Sequence, residues 1–528
     1  MDLIGSRCKL FLILLFAWAV IYLPGLGRQG LRGEEGRRVL PAVEMLKTGN
    51  WVLPRIADMD YYNKPPGINW LVAASFVLTG EQSELTARLP SVVFALIFVV
   101  FLIWMPIPWL DLEARLIGAI IFLTTSVIIE KGRLIEIETV YTALTGIAIL
   151  LWLSIWSRNG SNRLLWLAPS IVLAFGMLVK GPFILLFFYS VVISVLYYSK
   201  KLKSLFSIWH FVGCVIILLP FCIWLLLAFQ QTSASKISSQ MTNQLLIRII
   251  DKIDILYWGH NFIMEFMNFL PWLVFLPMLW REKLTERIAP QYQSLFRGSR
   301  LGIVIGFIII SLMPKMESRY TIPVIPLVSV LLGWTLSLEK EIVSTDRLWK
   351  SVLLAGFAVS CVTAAAGLVF VSVSAGTIIT LGATICATVF IFLKRGKIQG
   401  KPALSLATML LVVIATLQYS TSFLDISVPM ENRASMGTDI NRIVPEGETI
   451  NLFRPGTFIY PAIFRFRIPT RYIYDVNNID EQVHYMLIKR KDWDVLRTEG
   501  KISARSPRVI QKFVNPVPNE YWLVRLDQ

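Results

Sequence analysis

The stretch LFLILLFAWAVIYLPGL, residues 10–26, decides the fold because it is long, apolar and free of charge. A helix needs roughly 20 apolar residues to cross about 30 Å of hydrocarbon. Arg7 and Lys9 precede the stretch, and no small-residue cleavage site follows it. We therefore expect a retained first membrane span and not a cleaved signal peptide.

Similar apolar blocks recur along the 528 residues, which are 55% hydrophobic and 16% charged. Soluble proteins carry about 25% charged residues. The blocks predict a polytopic α-helical membrane protein with about thirteen spans, near residues 9–26, 89–109, 115–130, 138–156, 164–179, 182–199, 207–229, 266–280, 300–313, 319–337, 349–373, 376–394 and 403–421. The block GINWLVAASFVLTG, residues 67–80, is too short to span and predicts a juxtamembrane or re-entrant helix.

Basic residues concentrate in alternate loops, which are cytoplasmic if the N-terminus is inside. This pattern explains the net charge of +16 without nucleic acid as a partner. The five cysteines lie in or beside apolar blocks, which favours core residues over disulfides or a metal site. The basic loop residues are Arg158 and Arg163; Lys200, Lys201 and Lys203; Arg281, Lys283, Arg287 and Arg297; Lys340 and Arg347; Arg395, Lys397 and Lys401.

An odd number of spans places residues 422–528 outside. Charges there are nearly balanced and the apolar runs are short. TINLF, YIYDV and YWLVRL predict strands, and DEQVHYMLIKRKDW, residues 480–493, predicts an amphipathic helix. We therefore predict a transmembrane domain over residues 1–421, with an external loop at 26–88, and a soluble extracytoplasmic α/β domain over 422–528.

The first external loop contains LRGEEGRRVLPAVEML, in which Glu34 and Glu35 precede an amphipathic helical pattern. Two acids in a first helical turn are also explained by the helix dipole alone. The functional interpretation is an acid at the mouth of a membrane cavity, acting as general base or orienting an acceptor.

The segment DMDYYNKPPGINW follows, with Tyr62 at the predicted interface and Lys64 before two prolines. The prolines fix the backbone where this cation meets the membrane. Lys64 is either a snorkelling lysine at a helix start or a phosphate-binding cation.

The second external loop reads EKGRLIEIETVYTAL and brings Arg133, Glu136 and Glu138 to a span end. An uncompensated carboxylate there would be costly, so these charges are either functional or an Arg–Glu pair holding two helix ends. Lys180, Lys315, Arg319 and Tyr320 lie at span ends on the same predicted side. They are either interface anchors or part of an electrostatic clamp for an anionic, lipid-linked substrate.

The loop 230–265 is long enough to cover a cavity, and it carries His260. A lone histidine is more often structural than a ligand. No metal site or nucleotide loop is visible, so no cofactor is predicted and the need for a divalent cation stays open.

These motifs, in this order, resemble the GT-C membrane glycosyltransferases related to bacterial lipid A aminoarabinose transferase and, more distantly, the protein O-mannosyltransferases. The matching segments are EEGRR, EMLKTGNWVLP, YYNKPPGINWL, RLIEIE, LVKGP, FLPW and ESRYTIPVIP. The resemblance covers roughly residues 10–335.

The resemblance implies transfer of a sugar from a polyprenyl-phosphate donor, with inversion, at the outer face of the bacterial inner membrane. It implies that Glu34 is the essential acid, usually Asp in the family, and that Glu35 could share its role. Arg37 and Lys64 then match donor-phosphate positions, and Glu138 matches the acid of the second loop. Asn63 stands where some relatives carry an acid.

We therefore expect a glycosyltransferase with catalytic Glu34, Glu35 and Glu138, acting on a lipid A, glycan or protein acceptor among membrane lipids. The expected substrate-binding residues are Arg37, Tyr62, Lys64, Arg133, Glu136, Lys180, His260, Lys315, Arg319 and Tyr320. A transporter or lipid flippase is the alternative, which predicts inverted repeats and mid-span charges. A non-catalytic scaffold in envelope assembly is a further one.

Overall fold

The computed structural model describes residues 3–232, 254–338, 382, 431–456, 459–498, 507–513 and 520–526. The α-helices in these ranges that are discussed below are α1 (Leu3–Tyr22), α2 (Gly36–Thr48), α3 (Gly67–Thr79), α4 (Glu84–Trp104), α5 (Leu112–Thr124), α6 (Ser126–Gly132), α7 (Ile137–Ser157), α8 (Asn162–Lys180), α9 (Phe183–Tyr198), α10 (Ile208–Gln231), α11 (Ile255–Met267), α12 (Glu282–Thr285), α13 (Pro290–Ser311), α14 (Ile325–Leu338), α15 (Glu431–Ile443), α16 (Tyr460–Arg465) and α17 (Arg490–Thr498). Short 3-10 helices include Leu202–Phe206, Trp272–Trp280 and Ser318–Val324.

Seven helical segments in the described ranges are long and apolar enough to cross a membrane. They are Gly5–Tyr22, Glu84–Trp104, Ile137–Ser157, Asn162–Lys180, Ile208–Gln231, Pro290–Ser311 and Ser318–Leu338. Two bent helix pairs are also long and apolar enough when each pair is taken as one segment. They are α5 with α6, bent by 62°, and α11 with Trp272–Trp280, bent by 86°. The prediction of a multi-pass helical membrane protein is confirmed. The predicted spans at 349–373, 376–394 and 403–421 lie outside the described residues.

The predicted straight span at residues 266–280 is wrong, because the helix is broken there. Residues 266–280 do not make a straight helix, because α11 ends at Met267 and a 3-10 helix begins at Trp272. Pro271 lies in the break, and proline has no N–H with which to continue a helix. The block at 67–80 forms α3, whose 13 residues are too few to span.

The chain divides into two compact units. The first contains residues up to Gly25, Asn63–Ile68 and the described residues between Leu89 and Phe423. Helix α7 lies at its centre and is buried along most of its length. Helices α9 and α13 pack backbone to backbone, because a Cβ at Gly298 would lie 2.4 Å from the Cα of Val195. Small residues allow this close approach between membrane helices.

The second unit contains Leu26–Tyr62, Asn69–Arg88 and the described residues of the C-terminal segment. Its five-stranded sheet has the order β4-β3-β5-β7-β6. The strands are β3 (Ile450–Phe453), β4 (Thr470–Ile473), β5 (Tyr485–Lys489), β6 (Arg508–Phe513) and β7 (Tyr521–Arg525), and a separate hairpin joins β1 (Arg55–Ile56) to β2 (Met59–Asp60). Strand β3 is parallel to both neighbours, and β7 is antiparallel to β5 and β6.

The predicted helix at 480–493 is wrong, because Tyr485–Lys489 is the central strand β5 and the helix α17 starts only at Arg490. The run YMLI is buried throughout, as expected for a strand covered on both faces. The predicted strands within TINLF, YIYDV and YWLVRL are found as β3, β4 and β7, although β4 starts two residues earlier and ends at Ile473.

The hydrophobic core of the second unit includes residues that the sequence analysis assigned to the transmembrane domain. Leu40 of α2 and Ile56 of β1 are buried in one cluster with Ile440, Ile450 and Leu487. The first external loop and the C-terminal sheet therefore share a core, and the loop is a structural part of that domain.

Candidate active site

Glu34 and the start of α2 form a candidate site within the second unit. One guanidinium nitrogen of Arg37 donates to both carboxylate oxygens of Glu34, at 2.7 and 2.9 Å. Arg38 donates a third hydrogen bond at 3.3 Å. The Glu34 side chain remains 26% exposed, so a substrate hydroxyl can still reach it.

Tyr460, at the start of α16, reaches the same place within the second unit. A Cβ on Gly36 would lie 2.4 Å from the Cβ of Tyr460, so only glycine fits between Glu35 and Arg37. The Arg37 guanidinium also donates to the Tyr460 phenol, and burial raises the pKa of that phenol. The C-terminal segment thus supports Arg37, and sequence reasoning missed Tyr460 because it lies more than 400 residues away.

Glu35 lies in a different environment from the adjacent Glu34. Its carboxylate is fully buried and accepts from Arg88 at 2.8 and 2.7 Å and from the Arg32 amide at 2.9 Å. Arg88 also binds the carbonyls of Leu26, Gln29 and Gly30. This geometry supports a structural role for Glu35, in place of the catalytic role predicted from the sequence.

Arg38 and Tyr62 are also packed into the second unit. The Arg38 guanidinium donates to the Tyr61 hydroxyl at 3.1 Å, and its carbonyl accepts from the Asn69 amide at 2.8 Å. The Tyr62 hydroxyl donates to Asp60, and its side chain is only 5% exposed. Tyr62 therefore fixes the loop through Asp60, and this contact gives no direct support to its predicted role in substrate binding.

A separate candidate site belongs to the first unit and centres on Glu138. This carboxylate, 5% exposed in the first turn of α7, lies 3.3 Å from the Lys180 ammonium and 3.9 Å from Arg319. Arg319 also pairs with Glu317 at 2.6 Å. The structure thus brings together three predicted site residues from distant parts of the chain.

Lys180 ends α8 and stands at the polar end of a pocket. Its ammonium lies over the rings of Tyr141 and Tyr320, at 5.3 and 5.4 Å from the centroids. The other lining residues are apolar: Phe183, Phe187, Ile310 and Met313. Helix α8 ends here because Gly181, at φ 96°, adopts a conformation that other residues rarely take.

The Lys64-Pro-Pro-Gly67 segment packs against the end of α8. A Cβ on Gly67 would lie 2.6 Å from the carbonyl oxygen of Leu178, so the two backbones touch. This close approach brings the segment that carries Lys64 beside the one that carries Lys180. Lys64 itself is partly exposed.

Glu136, the residue before α7, forms an ion pair with Lys131 at 3.1 Å. Burial raises the pKa of Glu136, and the neighbouring Glu138 raises it further, while Lys131 and Arg319 oppose both effects. The group is therefore more easily protonated than an exposed glutamate.

The remaining predicted site residues, Arg133, Tyr320, Lys315 and His260, either bond to nearby groups or are exposed. Arg133 donates to the carbonyls of Ile21 and Pro24, so it holds the end of α1. The Tyr320 hydroxyl donates to Glu317 at 3.2 Å. Lys315 is exposed next to this segment, and His260 is exposed on α11. The predicted cover at 230–265 lies largely outside the described residues.

Glu265 is a residue that sequence reasoning missed. It is fully buried on α11 and accepts from the Ser311 hydroxyl at 2.7 Å. Asn261 and Asn268 of the same segment bind the backbone of Ser318. A single acid in an amphipathic helix gives no sequence pattern that would reveal its burial or its contact with Ser311. Among the described residues, no group of three His, Cys, Asp or Glu could hold a metal ion.

Residues 63–226 match the protein family described as dolichyl-phosphate-mannose-protein mannosyltransferase. The similar curated proteins include the undecaprenyl phosphate-alpha-4-amino-4-deoxy-L-arabinose arabinosyl transferases of two bacteria. That of Pseudomonas savastanoi pv. phaseolicola is 25% identical over 180 residues, which cover 33% of each chain. One from Pseudomonas fluorescens is 26% identical over 229 residues, which cover 42% of this chain and 40% of the relative. The chain thus aligns with a third to two fifths of the length of these relatives.

The fold also matches a crystal structure of ArnT from Cupriavidus metallidurans bound to undecaprenyl phosphate. The TM-score is 0.74, the identity is 17%, and the match covers 98% of each chain. The apo state of the same protein gives a TM-score of 0.72. These findings confirm the resemblance drawn from the motifs: the chain is a multi-pass membrane protein with the GT-C glycosyltransferase fold, and it resembles the bacterial aminoarabinose transferases.

Proposed function

We propose that the protein is an inverting glycosyltransferase that moves a sugar from a polyprenyl-phosphate-linked donor to a lipid A, glycan or protein acceptor. The observation that carries this proposal is the Lys180 pocket. A single ammonium faces an otherwise apolar and aromatic wall. That combination suits a phosphate attached to an isoprenoid chain, and the names of the relatives point to the same class of donor.

The donor phosphate would be held by cations of the first unit. Lys180, Arg319 and Lys64 would fill this role, which is supported by two contacts. The first two residues already share Glu138, and Lys64 lies on the segment that adjoins the end of α8. A phosphate arriving at Lys180 would compete with Glu138 for these cations. When no phosphate is bound, Glu138 would keep the cations oriented. Cations that neutralise a departing phosphate stabilise the charge developing in the transition state.

The acceptor would be activated by Glu34. An acceptor hydroxyl attacks the anomeric carbon while the bond from that carbon to the phosphate oxygen breaks. The polyprenyl phosphate leaves with the electron pair, and the hydroxyl proton passes to the Glu34 carboxylate. Arg37 and Arg38 hold the Glu34 carboxylate in place, and Tyr460 holds Arg37.

We further propose that the protein lies in the bacterial inner membrane, with the Glu138 end of α7 and the C-terminal domain on the extracytoplasmic side. The loops predicted to be cytoplasmic carry the excess of Lys and Arg. Lipid-linked sugars presented on the outer side would then reach the site without a nucleotide sugar.

The proposal is tested with the full chain in proteoliposomes, supplied with lipid-linked sugars and envelope acceptors from the source bacterium. Mass spectrometry follows the sugar on the acceptor and the released polyprenyl phosphate. We expect both products to appear together. A protein that moves the donor lipid across the bilayer and releases neither product would be a transporter.

A further inference from the structure

A second basic cluster lies at the opposite end of the helices that form the Lys180 pocket. Helix α8 has 19 residues between Asn162 and Lys180, which at about 1.5 Å each is close to the thickness of the hydrocarbon layer. At the Asn162 end an open cleft of about 740 Å³ is lined by polar and aromatic residues that include Trp156, Asn162, Tyr197, Lys200, Lys201 and Lys203.

Among the described residues, the lysines of this cleft have no carboxylate at ion-pair distance. No Asp or Glu occurs between residues 139 and 250. Within the described part of the chain, no carboxylate lies within 4.0 Å of the ammonium groups of Lys200, Lys201 or Lys203. Three lysines in one turn repel each other, so an anionic ligand would relieve that repulsion.

The lysines are held by a defined backbone. Helix α9 ends at Tyr198, and Lys200 follows at φ 54°. The amides of Lys200 and Lys201 donate to the carbonyls of Tyr197 and Leu196 at 3.0 and 2.9 Å. The Lys201 ammonium lies 5.3 Å from the centre of the Trp156 ring. The cleft is therefore a built arrangement and not a set of unrelated surface lysines.

Apolar side chains flank the cleft and point away from the protein. Leu164 is 57% exposed, Phe206 77% and Ile208 67%. They belong to the first turn of α8, the 3-10 helix Leu202–Phe206 and the start of α10. Exposed apolar groups beside lysines are typical of a surface that enters the boundary between headgroups and acyl chains.

We infer that this cleft binds the phosphate headgroup of an anionic phospholipid in the leaflet opposite the Lys180 pocket. Lysine ammonium groups act as point charges toward phosphate oxygens, and the flanking apolar residues would contact the acyl chains. The inference does not depend on the proposed transfer reaction, because none of these residues belongs to that site.

The test measures lipid binding to the full chain in detergent, with phosphatidylglycerol and phosphatidylcholine as probes. The variant carries Lys200→Gln, Lys201→Gln and Lys203→Gln. A matched control carries Arg281→Gln, Lys283→Gln and Arg287→Gln, which removes the same charge on the same predicted side, outside the cleft. Wild-type protein should prefer phosphatidylglycerol, and its affinity should fall roughly fivefold for each cleft lysine removed. The control should bind as the wild type does.

Equal loss in the two triple variants would overturn the inference, since general surface charge would then explain the binding. Retention of phosphatidylglycerol by the cleft variant would overturn it as well. If inorganic phosphate displaces phosphatidylglycerol at equal concentration, the ligand is free phosphate and the lipid part is wrong. Should the triple variant fail to fold, Lys201→Gln is compared with Lys201→Arg. The glutamine variant should lose roughly fivefold in affinity for phosphatidylglycerol, whereas the arginine variant should bind as the wild type does.

Discussion

The Arg88 guanidinium donates to both carboxylate oxygens of Glu35, at 2.8 and 2.7 Å, with both side chains almost fully buried. The adjacent Glu34 is partly exposed and is held by Arg37 and Arg38. Two neighbouring glutamates thus lie in different environments. Glu35 is buried in an ion pair, and Glu34 is partly exposed at the candidate site.

Glu35→Gln should therefore act on stability. Breaking a buried ion pair leaves its partner uncompensated and costs roughly 3–5 kcal/mol. We expect low yield of folded protein and a lower melting temperature in detergent, measured by fluorescence-detected size exclusion. Glu81→Gln, an exposed acid of the same unit, is the control and should match the wild type. A normal melting temperature in Glu35→Gln would contradict the assigned structural role.

Lys180→Gln should weaken donor binding. The loss of one charge-assisted contact is worth roughly 1.5–3 kcal/mol, so affinity for undecaprenyl phosphate should fall about tenfold or more. Binding is measured by titration of purified protein, with the exposed Lys47→Gln as the control. Lys180→Arg should restore much of the affinity. Unchanged binding in Lys180→Gln would show that the phosphate lies elsewhere.

Donor affinity should depend on pH through Glu136. Burial and Glu138 raise the pKa of Glu136. The carboxylate is charged at a pH well above that pKa and neutral at a pH below it. Protonation removes a negative charge facing Lys131 and Arg319, so donor KM should fall as pH falls through this titration. A phosphodiester donor keeps one charge throughout. Glu136→Gln should have the low-pH KM at every pH, whereas Glu130→Gln, an exposed acid that also pairs with Lys131, should keep the wild-type profile. A wild-type profile in Glu136→Gln would refute the assignment.

Tyr460→Phe should lower turnover and leave folding intact. The phenol accepts from Arg37, so its loss frees the guanidinium that holds Glu34. We expect kcat to fall several-fold while KM for the donor stays unchanged, because the donor cations belong to other segments. Tyr474→Phe, an exposed tyrosine of the same domain, is the control. An equal change in KM and kcat would argue against positioning of Glu34.

Sequence patterns predicted the features that depend on residues close together in the chain. Apolar blocks located most of the described membrane helices, and the apolar run TINLF located a strand. The strand Tyr485–Lys489 was missed because a short apolar run fits either a strand or a buried helix. The roles of Glu34 and Glu35 could not be separated from sequence, since the partner of Glu35 is Arg88, 53 residues away. Arg133 was predicted to bind substrate, and its guanidinium donates to the carbonyls of Ile21 and Pro24. Such contacts with backbone carbonyls leave no trace in the pattern of side chains.

We propose that Glu34 activates an acceptor for sugar transfer from a lipid phosphate. The most direct measurement is single-turnover release of polyprenyl phosphate, with matching gain of sugar on the acceptor, by wild type, Glu34→Gln and Glu34→Asp at equal folded concentration. General-base catalysis contributes roughly 10²–10⁴-fold. We predict a loss of that size in Glu34→Gln, with measurable transfer in Glu34→Asp. Wild-type turnover in Glu34→Gln would contradict a catalytic role for Glu34.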